Sequence, residues 1–523
     1  MNPIEKAGQL FIITVESDEL DDNLKHSIDH YNIGGLILFQ RNLTSLQRTI
    51  RFIRDVQAYA KKAGRPPLWI SIDQEGGGIS YLFKEMAVSP GNMNLAAGPN
   101  AEAHAEKAYS IMAAQLNAIG FNMNYAPLLD VNNNPDNPVI GTRAFSEDVD
   151  EVSRLSAIAA NAQQKEGILA CGKHFPGHGD TTVDSHLSLP VLSKTMDDMY
   201  NLELKPFIHA FNHGMKAVMT AHIVFSTIDP DRPATLSPAI LKGILRDKLS
   251  YDGLIITDSM EMEAIASFYG KETGTKMALE AGVNIILACG RNYPAQWAMI
   301  EAAAKAMNNE TIMQNINDSL ALQHQFKEAW IDTSFPLSEK EVIEKCHAPS
   351  AHEKMTAIAA DGITVLQNPK QLLTDAWRHT LLISQTSFND ENYQGERTNP
   401  AIDAPVFKDM TQVFTRSEVP DASEKDTVLK QLTHHDRVII LLNTRRHLEE
   451  EWEAFIREIH EQNQHIVVVS LWNPQLFRNL KTLDGLTMVA TYSNTSHTIH
   501  ALSDILCGKK QAIGQLPVTV DLR

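Results

Sequence analysis

With 523 residues the chain is too long for one ordinary hydrophobic core, so it should hold two or three domains, or one large barrel plus a second unit. Apolar residues make up 43% and charged residues 21%, the composition of a soluble globular protein. A formal net charge of −18 excludes the basic footprint that nucleic acid demands and argues equally against docking on an anionic membrane surface.

The opening stretch, MNPIEKAGQLFIITVE, carries a short apolar run flanked by acidic residues and no small-residue cleavage site, so it does not read as an export signal. No apolar stretch reaches the ~18–20 residues that span a bilayer. Cys171, Cys289, Cys346 and Cys507 are far apart and form no CxxC pair, the pattern of isolated thiols in a reducing compartment. The cytoplasm is the expected location, with export left open for a chain shortened at its start.

Eight short apolar runs follow in order: GQLFIITV, GGLILF, PLWISID, FNMNYAP, GILACGKHF, KAVMTAHIV, GLIITDS and VNIILA. Each runs on without polar alternation, as strands buried on both faces do. Amphipathic segments such as AEAHAEKAYSIMAAQLNAIG lie between them. Eight strand–helix units over about 290 residues predict a TIM-type (β/α)₈ barrel within residues 1–330, with a doubly wound sheet as the runner-up.

From residue 331 to about 355, the polar, proline-containing stretch IDTSFPLSEKEVIEKCHAPSAHEK reads as a linker with a short helix. Strands then resume in DGITVLQN, HTLLIS, RVIILLN, HIVVVSL and LTMVATY, separated by helix-like stretches such as RRHLEEEWEAFIREIHEQ. Residues 356–523 are therefore expected to form a smaller α/β sandwich with a mainly parallel sheet. The charged run HLEEEWE reads as a solvated helix face.

Asp73, Asp130, Lys173, His174, His222 and Asp258 all fall at or just past the C-terminal end of a predicted barrel strand, the face on which barrel enzymes build their sites. The densest chemistry lies in GKHFPGHGDTTVDSHLSLP, residues 172–190. One reading of this stretch is a zinc cradle of His174, His178 and His186 with Asp180 and Asp184. Against it, Pro176, Gly177 and Gly179 make a turn-rich loop, not a helix presenting two ligands. A second reading is a solvated loop whose histidines bond to backbone. A third is an acid/base pair, with Asp184 accepting the ring N–H of His186 so that the other nitrogen exchanges protons. Asp258, ending the run GLIITDS, would then be the carboxylate nucleophile of a retaining glycoside hydrolysis.

These motifs resemble glycoside hydrolase family 3, and within it the NagZ-type β-N-acetylglucosaminidases. The resemblance rests on SIDQEGG at 71–77, NYAPLLDVNNNPDNPVIGTRAFS at 124–146, KHFPGHGDTTVDSH at 173–186, MTAHI at 219–223, PATLS at 233–237 and ITDSMEM at 256–262. It implies that Asp258 is the nucleophile, His186 the general acid/base and Asp184 its partner. It also implies that Asp73, Arg143, Lys173 and His174 grip the sugar, with no metal or organic cofactor. The implied partner is a small carbohydrate with a terminal β-GlcNAc, from peptidoglycan-derived or chitooligosaccharide material.

Taken singly, Asp73 reads as a helix cap and Arg143 as a structural salt bridge; as a set on one face they read as a site. The pattern departs from the family at one place: DQEGGGISY stands where the family reads DQEGGRxxR, so Gly78 and Tyr81 replace two arginines, and the sugar contact of the second does not carry over. The closing GQLPVTV resembles the C-terminal domain of two-domain members, for which a supporting or subsite-shaping role is expected. Two alternatives stay open on the sequence alone: a GlcNAc phosphorylase using the same site, and a sugar-binding protein that has lost catalysis.

Overall fold

The computed structural model describes residues 1–82, 85–184, 187–374, 379–385, 404, 407–408, 410–415, 419–445 and 448–522. Its first part contains β1 (Phe11–Thr14), β2 (Gly35–Ile37), β3 (Trp69–Ile72), β4 (Met123–Asn124), β5 (Leu169–Phe175), β6 (Val191–Leu192), β7 (Ala217–Thr220), β8 (Val224–Phe225), β9 (Leu254–Ser259) and β10 (Ile285–Ala288). All but β6 and β8, which pair with each other, close into a barrel in the order β1-β10-β9-β7-β5-β4-β3-β2. Closure is direct: β1 pairs in parallel with both β2 and β10. Each of the eight apolar runs contains one barrel strand, and the open, doubly wound alternative is excluded.

The barrel closes because its strands are apolar on both faces. Ile12 points into the interior with Ile37, Trp69, Met123, Leu169, Ile256 and Leu287. Its neighbours Phe11 and Ile13 point outward into the layer between strands and helices. Each fully buried aliphatic side chain of this kind contributes ~1.5–3 kcal/mol relative to exposure.

A second sheet comprises β11 (Thr364–Gln367), β12 (Thr380–Gln385), β13 (Thr411–Thr415), β14 (Arg437–Leu442), β15 (Ile466–Ser470) and β16 (Thr487–Ala490), in the order β11-β16-β15-β14-β12-β13. Only β11 runs antiparallel to its neighbour. Alternation again divides the two faces: Val438, Ile440, Val468 and Met488 join one core, Ile439, Leu441, Val467 and Val489 the other. Five of these strands match the predicted runs. The sixth, β13, is an edge strand that exposes Thr411 and Phe414, so TQVFT lacks the continuous apolar run of a buried strand.

The segment expected as a linker carries the helix Glu339–Cys346, started by a capping box in which Ser338 and Glu341 each accept the other's backbone N–H. It then runs into the helix Pro349–Gly362, which packs between the two parts. The parts are joined mainly by buried groups. Met93 and Ala97 of the barrel helix Asn92–Ala97 belong to the second core. Between them, the Asn94 amide donates to the carbonyls of Ala359 and Thr491, each at 3.2 Å. The closing segment clasps the barrel as well, with the Ser146 hydroxyl donating to the Pro517 carbonyl at 2.8 Å. Half-exposed ion pairs such as Arg478–Asp136, at 2.7 Å, add at most ~1 kcal/mol each, so apolar burial dominates this junction.

At the opposite end of the barrel, Lys327 is buried and donates to Gln9 Oε1 at 3.1 Å and to the Gly34 carbonyl at 2.9 Å. Burial lowers its pKa from 10.5 to about 7. Between those values the unfolded chain binds the extra proton, so this group's contribution to stability rises with pH across that window. The thermal midpoint of the native protein should therefore gain on that of Lys327→Met as pH climbs from about 7 towards 10.5. A difference between the two that stays flat or shrinks over that range would contradict the buried-ammonium account.

Candidate active site

The C-terminal ends of the barrel strands enclose a cavity of about 280 Å³, close to the lower end of the ~300–1,000 Å³ usual for ligand clefts. Asp73, Arg143, Lys173, His174, Asp184 and Asp258 all line it. Six of the seven predicted site residues thus meet in one place. The seventh, His186, lies outside the described residues, as does Ser185.

Charged groups from three successive strand–helix units meet on the cavity wall. Asp73 and Glu75 follow β3, Lys173 is in β5, and Arg143 ends the short turn Gly141–Arg143. Lys173 Nζ lies 2.7 Å from Asp73 Oδ1 and 2.6 Å from Glu75 Oε1. Arg143 holds Glu75 in a fork, Nε to Oε2 at 2.9 Å and Nη2 to Oε1 at 2.8 Å. The side chains of Lys173 and Glu75 are only 3% and 2% exposed, whereas that of Asp73 retains 20%. Glu75 is therefore the internal counter-ion, and Asp73 keeps a face towards the cavity.

Burial alone would raise the Glu75 carboxyl, but Arg143 and Lys173 outweigh it and hold the group at about 2. Burial works against the Lys173 ammonium too, and the two carboxylates overcome it, so its pKa is raised. All three groups stay charged at neutral pH. Glu75 escaped the sequence reading although its signal was present: two positions beyond Asp73, it shares that residue's side in an extended chain. The reading of Arg143 as a salt-bridge residue holds too, since its partner is this carboxylate.

The front half of the histidine loop is built on Asp130. His174 Nδ1 donates to Asp130 Oδ2 at 2.7 Å, and the His178 backbone N–H donates to Asp130 Oδ1 at 2.8 Å. The first contact sets the tautomer whenever the His174 ring is neutral. Burial and the neighbouring His174 push His178 down to about 4, so it is uncharged at neutral pH. The Asn137 amide donates to the carbonyls of His178 and Gly179 at 2.9 and 2.8 Å. The two glycines here serve close packing. A Cβ on Gly179 would stand 1.7 Å from the Val131 carbonyl oxygen, and Gly177, at φ +143°, would press one against Glu203. Further along, Lys194 pins the loop to its neighbours, bridging Asp180 at 2.5 Å and Glu203 at 3.4 Å.

Asp258 sits near the end of β9, where Ser259 N–H donates to its Oδ1 at 2.7 Å. His222, another strand-end residue, braces that turn by donating from Nε2 to the Ser259 carbonyl at 2.9 Å. Asp184 is 6% exposed, and its carbonyl accepts from the N–H groups of Leu187 and Ser188. Tyr81, one of the two departures from the family pattern, lines the cavity while only 1% exposed, and its N–H donates to Gln74 Oε1 at 2.8 Å. Met219, Met262, Leu287 and Cys289 supply apolar wall. One lining residue, Arg445, comes from the second sheet's connection after β14, a position with no local motif to flag it.

Known proteins resemble this chain in sequence and in fold. Residues 4–322 match the model of the glycosyl hydrolase family 3 N-terminal domain. Beta-hexosaminidase A of Pseudoalteromonas piscicida is 38% identical over 51% of this chain and 48% of its own length, so this chain spans about half of that relative. A beta-hexosaminidase of Shewanella frigidimarina is 35% identical over 50% of this chain and 76% of its own. Among solved structures, the family 3 beta-N-acetylglucosaminidase of Paenibacillus sp. str. FPU-7 superposes with a TM-score of 0.91 at 31% identity, covering 100% of both chains.

Replacing Glu75 by glutamine would leave Lys173 and Arg143 short of one buried countercharge, a loss of ~3–5 kcal/mol for pairs of this kind. Because the Glu75 pKa is depressed, its contribution is complete above its usual value of 4.5 and fades as pH falls towards 2. Denaturant unfolding should show Glu75→Gln clearly weaker than the native protein at neutral pH, with the gap narrowing in acid. A gap that is small at neutral pH, or that widens in acid, would contradict this assignment.

Proposed function

This chain belongs to glycosyl hydrolase family 3, and on that footing we propose that it is a retaining exo-β-N-acetylglucosaminidase. Its substrate would be the non-reducing terminal β-GlcNAc of peptidoglycan-derived or chitooligosaccharide material. The observation that carries the reading is the meeting of Asp258 and Asp184 in one cavity with the Asp73–Lys173–Glu75–Arg143 cluster. End-to-end likeness to a beta-N-acetylglucosaminidase supports it. The small cavity suits an enzyme that takes one sugar from a chain end.

In this reading the terminal sugar is held first. The cavity-facing part of Asp73 accepts from ring hydroxyls, while Lys173 and Arg143 donate to them and orient the anomeric carbon towards Asp258. Asp258 attacks that carbon as His186 protonates the departing oxygen, with Asp184 accepting the other ring N–H of His186. The glycosyl-enzyme is then opened by water, which gives its proton to His186, and GlcNAc leaves with retained configuration. The chemistry calls for no metal or organic cofactor.

A side-by-side assay of p-nitrophenyl β-GlcNAc and β-glucoside should show strong preference for the GlcNAc compound; preference for glucose, or inactivity on both, would overturn the reading. Conducted in phosphate buffer, the reaction should release free GlcNAc, and accumulation of GlcNAc-1-phosphate would reassign the acceptor. Asp258→Asn should abolish turnover while leaving the melting curve intact. His186→Ala should cost ~10²–10⁴-fold on substrates with poor leaving groups and far less on activated aryl glycosides. Equal losses on both would remove His186 from the general-acid role.

A further inference from the structure

Among the described residues around the cavity, one lining side chain comes from the second domain: Arg445. Its guanidinium stands over the ring of Trp472, 5.7 Å from the centroid. Trp472 is 1% exposed, and its indole N–H donates to Asn443 Oδ1 at 2.7 Å. Asn494 donates to the same oxygen at 3.2 Å, and the Asn443 N–H donates to Gln385 Oε1 at 2.9 Å. The arginine thus rests on a buried polar network at the C-terminal edge of the second sheet, where β12, β14 and β15 end. In parallel sheets that edge is where ligands are received.

Here the edge is turned to the barrel mouth and fastened there. Arg478, beyond β15, grips Asp136 at 2.7 Å, and Asp136 belongs to the loop whose Pro138 and Val139 line the cavity. Within the cavity the carboxylates of Asp73, Glu75, Asp184 and Asp258 outnumber the cations Lys173 and Arg143, and those two cations are bonded to Asp73 and Glu75. Among the described lining residues, Arg445 is a third cation, and it comes from the other domain. A guanidinium carries its N–H donors in one plane, fitted to two neighbouring ligand oxygens at once.

We propose that Arg445 is a substrate-contacting, specificity-determining residue that donates to the oxygen atoms of the terminal N-acetylhexosamine, so that the second domain completes the sugar site. This rests on the reading of the cavity as a sugar site. The contact is made in the ground state and the transition state alike, so its loss falls on KM and not on kcat.

The test compares the native protein with Arg445→Ala and Arg445→Lys on p-nitrophenyl β-GlcNAc, with N-acetylglucosamine as competitive inhibitor. Loss of one charge-assisted contact predicts KM and the inhibition constant both raised about tenfold in the alanine variant, with kcat within about threefold. The lysine variant should fall between, and all three proteins should share one melting temperature, since Arg445 is half-buried and outside both cores. Unchanged KM and inhibition constant would overturn the proposal, as would a rise matched by a lowered melting temperature that lysine does not ease. If the native protein hydrolyses no aryl β-GlcNAc, the functional reading falls by itself. Calorimetric titration of N-acetylglucosamine then decides this inference: weaker binding to Arg445→Ala supports it, while equal binding, or none to either protein, overturns it.

Discussion

A buried carboxylate with one buried and one partly buried cation, Glu75 between Lys173 and Arg143, is the constraint on which the rest of the mouth depends. The three residues come from three successive strand–helix units of the barrel, and none can leave without stranding a charge in low dielectric. Their mutual bonds fix the ends of β3 and β5 and the turn at Arg143. Because Lys173 also holds Asp73, the same cluster positions a carboxylate that still faces the cavity. The cost of burying these charges is offset only in this one arrangement, which is how an electrostatic contact becomes a positional one.

The cluster is tied to the second domain through one short helix. Asn92 donates to the Arg143 carbonyl at 2.7 Å, and the Tyr109 hydroxyl lies between Asn92 Oδ1 and the Glu75 carbonyl. On the same helix, Met93 and Ala97 join the second domain's core and Asn94 bonds to the Ala359 and Thr491 carbonyls. The charged wall of the cavity and the docking surface for the second sheet are thus opposite sides of the same six residues, Asn92–Ala97. That continuity gives a physical reason for the second domain to present a side chain, Arg445, at the cavity.

Much of this was legible in the chain itself, and the exceptions follow a pattern. The eight barrel strands stood out because burial on both faces demands unbroken apolar runs, and Asp73, Lys173 and Asp258 stood out because each breaks such a run at its end. β13 was hidden by its exposed edge, where polar and apolar residues mix. Glu75 was hidden by its neighbour Asp73, which took the attention of the same motif. Arg445 was beyond reach: its role depends on a contact between two domains, and nothing in the local sequence TRRHLEE distinguishes it from a solvated arginine. Gly177 and Gly179 marked a turn-rich loop, and here they allow backbone to pack against Glu203 and Val131.

The central claim is that the cavity carboxylate Asp258 bonds covalently to the anomeric carbon of an N-acetylglucosamine unit. Incubation with a 5-fluoro-N-acetylglucosaminyl fluoride, whose glycosyl-enzyme turns over slowly, followed by peptide mass mapping, tests it most directly. The account predicts a single sugar adduct on the peptide containing Asp258, absent from Asp258→Asn. An adduct on another residue, or steady turnover of the reagent with no trapped protein at any time, would contradict it.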